Sequence, residues 1–374
     1  MPSIQSYLKE REHLILSDLE RVVRAESPTH DKAAVDRCGE VFQELFRQHL
    51  GLSAEVIPME KTGNHLRYQY GDGSEQILIM GHIDTVWDIG RLRYRLEGNK
   101  AYGPGIFDMK GGIIQALWAL KACKDLGIAL NKKVVFLLTS DEETGSDTSR
   151  SLIEEEAARS AAALVPEPAV AVSGALKTAR KGVGQFTMTI TGKAAHAGNH
   201  HGDGISAVEE MAHQILNLHA LTDYAKGTTV NVGIASGGSR SNVVAEKARL
   251  DIDVRISSMA EAERVQAAIN GAKPKLPGIK LETDGGLNRP PMERTVQTAR
   301  LFALANQCAD ELGFTLTEAS VGGGSDGNFT AALGIPTLDG LGAVGDGPHA
   351  EYEHVVIDHL AQRSALLALL LTKI

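Results

Sequence analysis

A chain of 374 residues is long enough to bury a large core and reads as two domains rather than one. Its net charge of -9 and its aromatic content of 5% argue against a nucleic-acid partner, which needs a basic face for phosphates and aromatic platforms for bases. No apolar run reaches membrane-spanning length, so no membrane partner is expected, and Met1-Pro2-Ser3-Ile4-Gln5 lacks the basic and apolar regions of a signal peptide, which points to the cytoplasm. Cys38, Cys123 and Cys308 are scattered through helical patterns and form neither a disulfide framework nor a zinc-thiolate spacing.

In chain order, residues 4–25 carry an amphipathic helical pattern that stops before Ser27-Pro28, because proline disfavours helix in the residue before it. A second helix is expected over 32–50, where Ala34, Val35, Cys38, Val41, Phe42 and Leu45 recur at helical spacing and Gly51 supplies the stop. Strands follow at 54–57, 66–70 and 77–80. The last of these is continuously apolar, as a strand buried on both faces must be, and runs into Gly81-His82-Ile83-Asp84-Thr85-Val86. A loop of Tyr102-Gly103-Pro104-Gly105-Ile106-Phe107-Asp108-Met109-Lys110-Gly111-Gly112 then opens a helix that ends at Gly127, and no Walker phosphate-loop spacing is present. Another buried strand, 134–138, ends in Thr139-Ser140-Asp141-Glu142-Glu143-Thr144-Gly145-Ser146. The strand 161–165 ends in Pro166-Glu167-Pro168.

From about residue 174 the character changes to strand 185–191, helix 203–219, strands 229–234 and 247–256, helix 260–270 and strand 279–283. In the strand 247–256, Ala248, Leu250, Ile252, Val254 and Ile256 alternate with Arg249, Asp251, Asp253 and Arg255, the period of a sheet with one wet face. This β-α-β-β-α-β order describes a ferredoxin-like α+β domain, 175–286, inserted into an α/β domain made of 1–174 and 287–374. The α/β domain is expected to hold a mostly parallel sheet covered by helices on both faces. It resumes with a helix over 293–312, a glycine-rich turn at 322–328, a strand near 336–341, the segment Gly345-Asp346-Gly347-Pro348-His349, and a terminal helix over 357–371.

Polar side chains at the carboxyl ends of buried strands are where open α/β sheets place ligands. His82, Asp108, Glu143, Glu167 and His349 therefore form a candidate metal-ligand set, with Glu142 left over. Two divalent cations carry four positive charges, which three ligating carboxylates and one hydroxide balance, so Glu142 can act separately. Nitrogen and oxygen ligation with imidazole suits zinc, and manganese or cobalt satisfies the same donors.

With these residues in view, the chain resembles the zinc-dependent carboxypeptidase, aminoacylase and deacylase superfamily, and within it is most similar to bacterial glutamate carboxypeptidases of the folate-hydrolysing carboxypeptidase G type. The resemblance is carried by Gly81 to Val86, Gly103 to Gly112, Ser140 to Arg150, Glu167-Pro168 and Gly192-Lys193-Ala194-Ala195-His196-Ala197-Gly198. It implies two zinc ions per chain, one held by His82, Asp108 and Glu167 and the other by Asp108, Glu143 and His349. It further implies that Glu142 is the general base, that Asp84 orients His82, and that the peptide after Asp108 is cis.

The resemblance also makes the inserted domain a lid that pairs with a second copy in a homodimer, with His196 reaching the partner's active site. Asn242, Arg289 and the loop containing Gly323 match substrate-binding positions, and a guanidinium suits a substrate carboxylate because its planar fork meets both oxygens. Ser325-Asp326-Gly327-Asn328 also resembles the deacylase branch. The expected reaction is metal-assisted amide hydrolysis of a small peptide or N-acyl amino acid, in which Glu142 takes a proton from the attacking water and returns it to the leaving amine. A carboxypeptidase releasing glutamate is the first reading. An acetylornithine or succinyl-diaminopimelate type deacylase is the second, and a silent amino-acid-binding protein is the third.

Overall fold

The structure, a computed structural model, describes residues 3–374. The chain forms two compact units. One comprises the described residues up to Ala179 together with Arg294–Val321 and Ser325–Ile374, and the other comprises Arg180–Glu293 with Gly322–Gly324.

The larger unit is built on an eight-stranded sheet. Its four central strands, Lys133–Thr139, Gln76–His82, Ser160–Val165 and Thr337–Asp339, are parallel. Beyond one edge the sheet continues with His65–Tyr70 and Glu55–Ile57, each antiparallel to its neighbour, and beyond the other with Leu176–Arg180, antiparallel to Thr337–Asp339, and then Glu318–Val321. Every residue of Gln76–His82 is buried. The reason is visible in the packing, since Ile77 and Ile79 enter one apolar cluster while Leu78 and Met80 enter another on the opposite face. The first cluster holds helices Lys32–Leu50, Gly111–Asp125 and Leu360–Lys373, and the second holds Arg150–Ala158 and Phe329 of Gly327–Ala332. Both faces are thus covered, as the unbroken apolar runs required. Each fully buried aliphatic side chain here contributes roughly 1.5–3 kcal/mol.

Three differences from the sequence reading have local causes. The helical pattern of 4–25 is broken into Ile4–Glu10 and Glu12–Arg24, because Arg11 leaves helical backbone and turns its guanidinium to the Tyr7 carbonyl at 3.0 Å. The glycine-rich turn contains a short helix, Gly327–Ala332. A small antiparallel sheet of Gly345–Asp346, His354–Val356, Lys100–Tyr102 and Arg95–Glu97 lies in stretches to which the sequence reading assigned no strand.

The smaller unit has the order strand Gly182–Thr191, helix Ala207–His219, strands Thr229–Gly237 and Lys247–Ile256, helix Met259–Asn270 and strand Lys280–Arg289. Its four strands form one antiparallel sheet with Lys247–Ile256 and Gly182–Thr191 at the centre. Phe186, Met188, Ile190, Leu250, Ile252 and Val254 pack with Leu218, Val265 and Ile269 of the two helices in a core of its own. This is the ferredoxin-like order read from the sequence, although the compact unit begins and ends later than 175–286. Leu176–Arg180 starts in the large sheet, where Lys177 pairs with Asp339, and the last strand runs on to Arg289. Among the described residues no helix is long and apolar enough to cross a membrane.

Candidate metal centre

In the larger unit, parallel register carries His82 level with Thr139, so the two central strands end side by side and release His82-Ile83-Asp84 and Asp141-Glu142-Glu143 at the same edge. The neighbouring strand Ser160–Val165 delivers Glu167 two residues past its end. Asp108 lies in the turn before helix Gly111–Asp125, and the Asp108–Met109 peptide is cis. The glycines at this helix start allow backbone to meet backbone: a Cβ on Gly112 would lie 1.7 Å from the Pro166 carbonyl oxygen. His349 follows Gly345–Asp346 with φ of 61°, a left-handed conformation uncommon outside glycine.

These elements bring five of the expected residues together. His82 Nε2 lies 3.3 Å from Asp108 Oδ1 and 3.6 Å from Glu167 Oε1. His349 Nε2 lies 3.4 Å from Asp108 Oδ2 and 3.1 Å from Glu143 Oε2. Ligand atoms of His82, Asp108 and Glu143 all fall within 4.8 Å of one another.

The electrostatics show an excess of negative charge. Burial alone disfavours a charged His82, but hydrogen bonds with Asp108, Asp84 and Glu167 raise its pKa well above the ordinary imidazole value. Hydrogen bonds with Asp108 and Glu143 push His349 up to about 11. Burial works to raise Asp108 as well, yet the two imidazoles hold it well below the usual carboxylate range. Glu143 is raised, chiefly by burial, and its Oε1 is buried without a hydrogen-bond partner. An orphaned carboxylate oxygen beside two imidazoles drawn towards the cationic form is a donor set that fits divalent cations, and its nitrogen and oxygen atoms suit zinc.

Around the cluster, a further layer holds the loops. The ring of His82 is fixed by Nδ1 donating to the Asp84 carbonyl at 3.0 Å, while the Asp84 carboxylate lies 3.6 Å from the same nitrogen. That carboxylate, fully buried, accepts from Thr29 Oγ1 at 2.8 Å and from the backbone N–H groups of Glu142 and Glu143 at 3.3 Å each. Asp84 therefore aligns the Glu142-Glu143 pair as well as the histidine, a double task that the spacing of His82 and Asp84 did not reveal. Asp326, from the glycine-rich turn, accepts from Thr139 Oγ1 and Ser146 Oγ on either side of that pair.

Glu353 is a site residue that the sequence reading missed. It is buried, and its carboxylate faces the backbone of the Asp108 turn. Its only sequence signal is a carboxylate four residues after His349.

The remaining expected residues belong to the smaller unit. His196 is exposed, and its Nδ1 accepts from the N–H groups of Gly198 and Asn199 at 3.1 and 3.0 Å, so the ring proton sits on Nε2. The carbonyl of exposed Asn242 accepts from Ala197 N at 3.0 Å, which ties the two segments together. Arg289 is buried beside Gly324, and Arg180 donates to the carbonyls of Gly323 and Gly324.

The model for Peptidase family M20/M25/M40 matches residues 78–373. Carboxypeptidase G2 from Pseudomonas sp. (strain RS-16) is 32% identical over 370 residues, which cover 96% of this chain and 88% of that enzyme. Acetylornithine deacetylase from Erwinia tasmaniensis is 30% identical over 249 residues, 60% of this chain and 62% of that enzyme. Among solved structures, the YXEP protein of Bacillus subtilis, described as a dinuclear metal-binding peptidase of the M20 family, is similar in fold, with a TM-score of 0.72 and 15% identity over 98% of each chain. On the family match and on this identity along nearly its whole length, the chain belongs to peptidase family M20/M25/M40 and is a metallopeptidase or amidohydrolase of that family.

Proposed function

We propose that the protein is a two-zinc amide hydrolase acting as a carboxypeptidase, which releases a C-terminal amino acid such as glutamate from a peptidyl or N-acyl substrate. The observation that carries this reading is Asp108, whose two oxygens face different imidazoles, Oδ1 towards His82 and Oδ2 towards His349. A carboxylate so placed suits a ligand shared by two cations. On this reading His82, Asp108 and Glu167 would hold one cation, and Asp108, Glu143 and His349 the other. Similarity to a dinuclear metal-binding peptidase supports the count of two, and similarity to carboxypeptidase G2 supports the reaction class. Manganese or cobalt would satisfy the same donors. When bound, the cations supply Lewis-acid polarisation of the amide carbonyl and acidify water.

The chain's own residues do the rest. Glu142 is half-buried, its backbone is pinned by Asp84, and its charge is felt at His82. Its carboxylate takes the proton of the attacking water and delivers it to the leaving amine nitrogen. His196, with its proton on Nε2, is a donor for the developing oxyanion, supplied by the second copy in a homodimer built on the smaller unit. Arg289 meets the substrate carboxylate, with Asn242 and Gly323 also assigned to substrate binding.

A second reading, N-acyl amino acid deacylase, is favoured by the similarity to acetylornithine deacetylase. The two are separated by measuring amino-acid release from a panel of peptidyl-glutamate, folate-like, acetyl-amino and succinyl-amino amides, with added zinc and a metal-stripped control. Glutamate release from the first two classes supports the carboxypeptidase. Turnover confined to acetyl and succinyl amides overturns it in favour of the deacylase, and metal-loaded protein inert on all four overturns both.

A further inference from the structure

Glu353 stands in the turn before strand His354–Val356, which is paired on both sides by Lys100–Tyr102 and Gly345–Asp346. From this fixed base its carboxylate enters the Asp108 turn and collects four N–H donors. Oε1 accepts from Phe107 N at 2.9 Å and Asp108 N at 3.0 Å. Oε2 accepts from Gly105 N at 3.1 Å and Trp87 Nε1 at 2.7 Å. Glu353 is only 1% exposed, and among the described residues no cation pairs with it. Placing an anion here is costly unless its hydrogen bonds are made, and two donors on each oxygen use the full acceptor capacity of a carboxylate.

We propose that Glu353 is a positioning residue for the metal centre: by gathering the N–H groups of Gly105, Phe107 and Asp108 it fixes the turn from which Asp108 presents one oxygen to His82 and the other to His349. The inference rests on the metal-binding reading of Asp108. Three of the four donors are main-chain groups within four residues, so the carboxylate acts on backbone conformation and not through any contact with substrate. Glutamine in its place would accept from one pair of N–H groups and oppose the other pair with its own amide hydrogens.

The test uses the full chain, stripped of metal, in wild-type, E353Q, D108A and L45A forms. Zinc affinity is measured by competition with a chromophoric chelator, and amide exchange of the segment containing residues 105–108 is followed by mass spectrometry. E353Q is expected to weaken zinc binding by about 10–100-fold, the range for residues that orient metal ligands, and to speed exchange at residues 105–108 in the metal-free protein. L45A, a core change on the Lys32–Leu50 helix, lowers thermal stability without either effect, which separates positioning from general loosening. If E353Q binds zinc as wild type does while D108A does not, the role of Glu353 is overturned and the metal reading stands. If D108A also binds zinc as wild type does, the metal reading itself fails. Should E353Q not fold, W87F removes one donor and is expected to weaken zinc binding less but in the same direction, with unchanged affinity and unchanged exchange overturning the proposal.

Discussion

Glu142 and Glu143 are adjacent, and the structure predicts opposite outcomes for the same chemical change at each. In E142Q the backbone N–H that donates to Asp84 is retained, and Glu142 is not among the residues assigned to hold a cation. Metal content and melting temperature should therefore match wild type. The loss falls on proton transfer, worth about 10²–10⁴ in rate, or roughly 2.7–5.4 kcal/mol of barrier at about 1.36 kcal/mol per factor of ten. In E143Q the carboxylate that reaches His349 at 3.1 Å, and whose other oxygen is buried without a partner, is neutralised. That variant should lose metal first and rate as a consequence. The assay is steady-state release of amino acid alongside elemental analysis of the same preparation. Full turnover by E142Q, or metal lost from E142Q and kept by E143Q, would refute the division of roles.

Three further outcomes follow from particular contacts. Arg363, fully buried on the last helix, donates to the carbonyls of Gly342, Gly174 and Gly340, and Gly342 in turn donates to the Glu167 carbonyl. R363M leaves these acceptors short at about 1–3 kcal/mol each, partly offset by relief of guanidinium desolvation, so the melting temperature should fall by several degrees, and an unchanged melt would dismiss the clamp. Burial depresses the pKa of His65 below 6.5 in the folded chain, so as pH falls the unfolded chain binds the proton first, and stability is lost below about pH 6.5. Denaturant unfolding at pH 7.5 and 5.5 should show a larger loss for wild type than for H65Q, and parallel losses would contradict this. Finally, mixing H196A chains with E142Q chains should recover part of the activity if His196 serves the second copy; confirmed mixed dimers without recovery would count against it.

The sequence revealed the parts of the fold that follow simple periods. Unbroken apolar runs marked the central strands because both of their faces are covered, and the strict alternation of Lys247–Ile256 marked a sheet with one open face. Strands of three to five residues, such as Arg95–Glu97 and Leu176–Arg180, carry too few residues for any period to register. Helix Arg150–Ala158 went unread because only Ile153, Glu156 and Ala157 are buried along it, which leaves no apolar stripe. Of the residues proposed to face a metal, His82, Glu143 and Glu167 were legible because charged side chains at or just past the ends of apolar strands stand out. Their supports were not: Glu353 sits in a polar stretch between Glu351 and His354, and the backbone groups that Asp84 and Glu353 capture have no signature in a sequence.

That same layer of supports ties the metal to stability. Asp84, Glu167 and Glu353 are each less than a tenth exposed, Asp108 and Glu143 stand beside them, and the imidazoles of His82 and His349 lie against this charge. Carboxylates gathered this closely repel one another, so cation binding is linked to the folded state of the larger unit. Cation present at a hundred times its dissociation constant stabilises by about 2.7 kcal/mol, which for a unit of this size corresponds to roughly 5–10 °C. The smaller unit has its own core of Met188, Ile190, Leu250, Ile252 and Val265 and contributes no residue to the cluster. Calorimetry with and without chelator should therefore lower the transition of the larger unit and leave that of the smaller unit in place, with exchange rising first in the turns that carry Asp108 and Glu143. Superimposable scans, or a fall confined to the smaller unit, would show that the clustered carboxylates are not held together by cations.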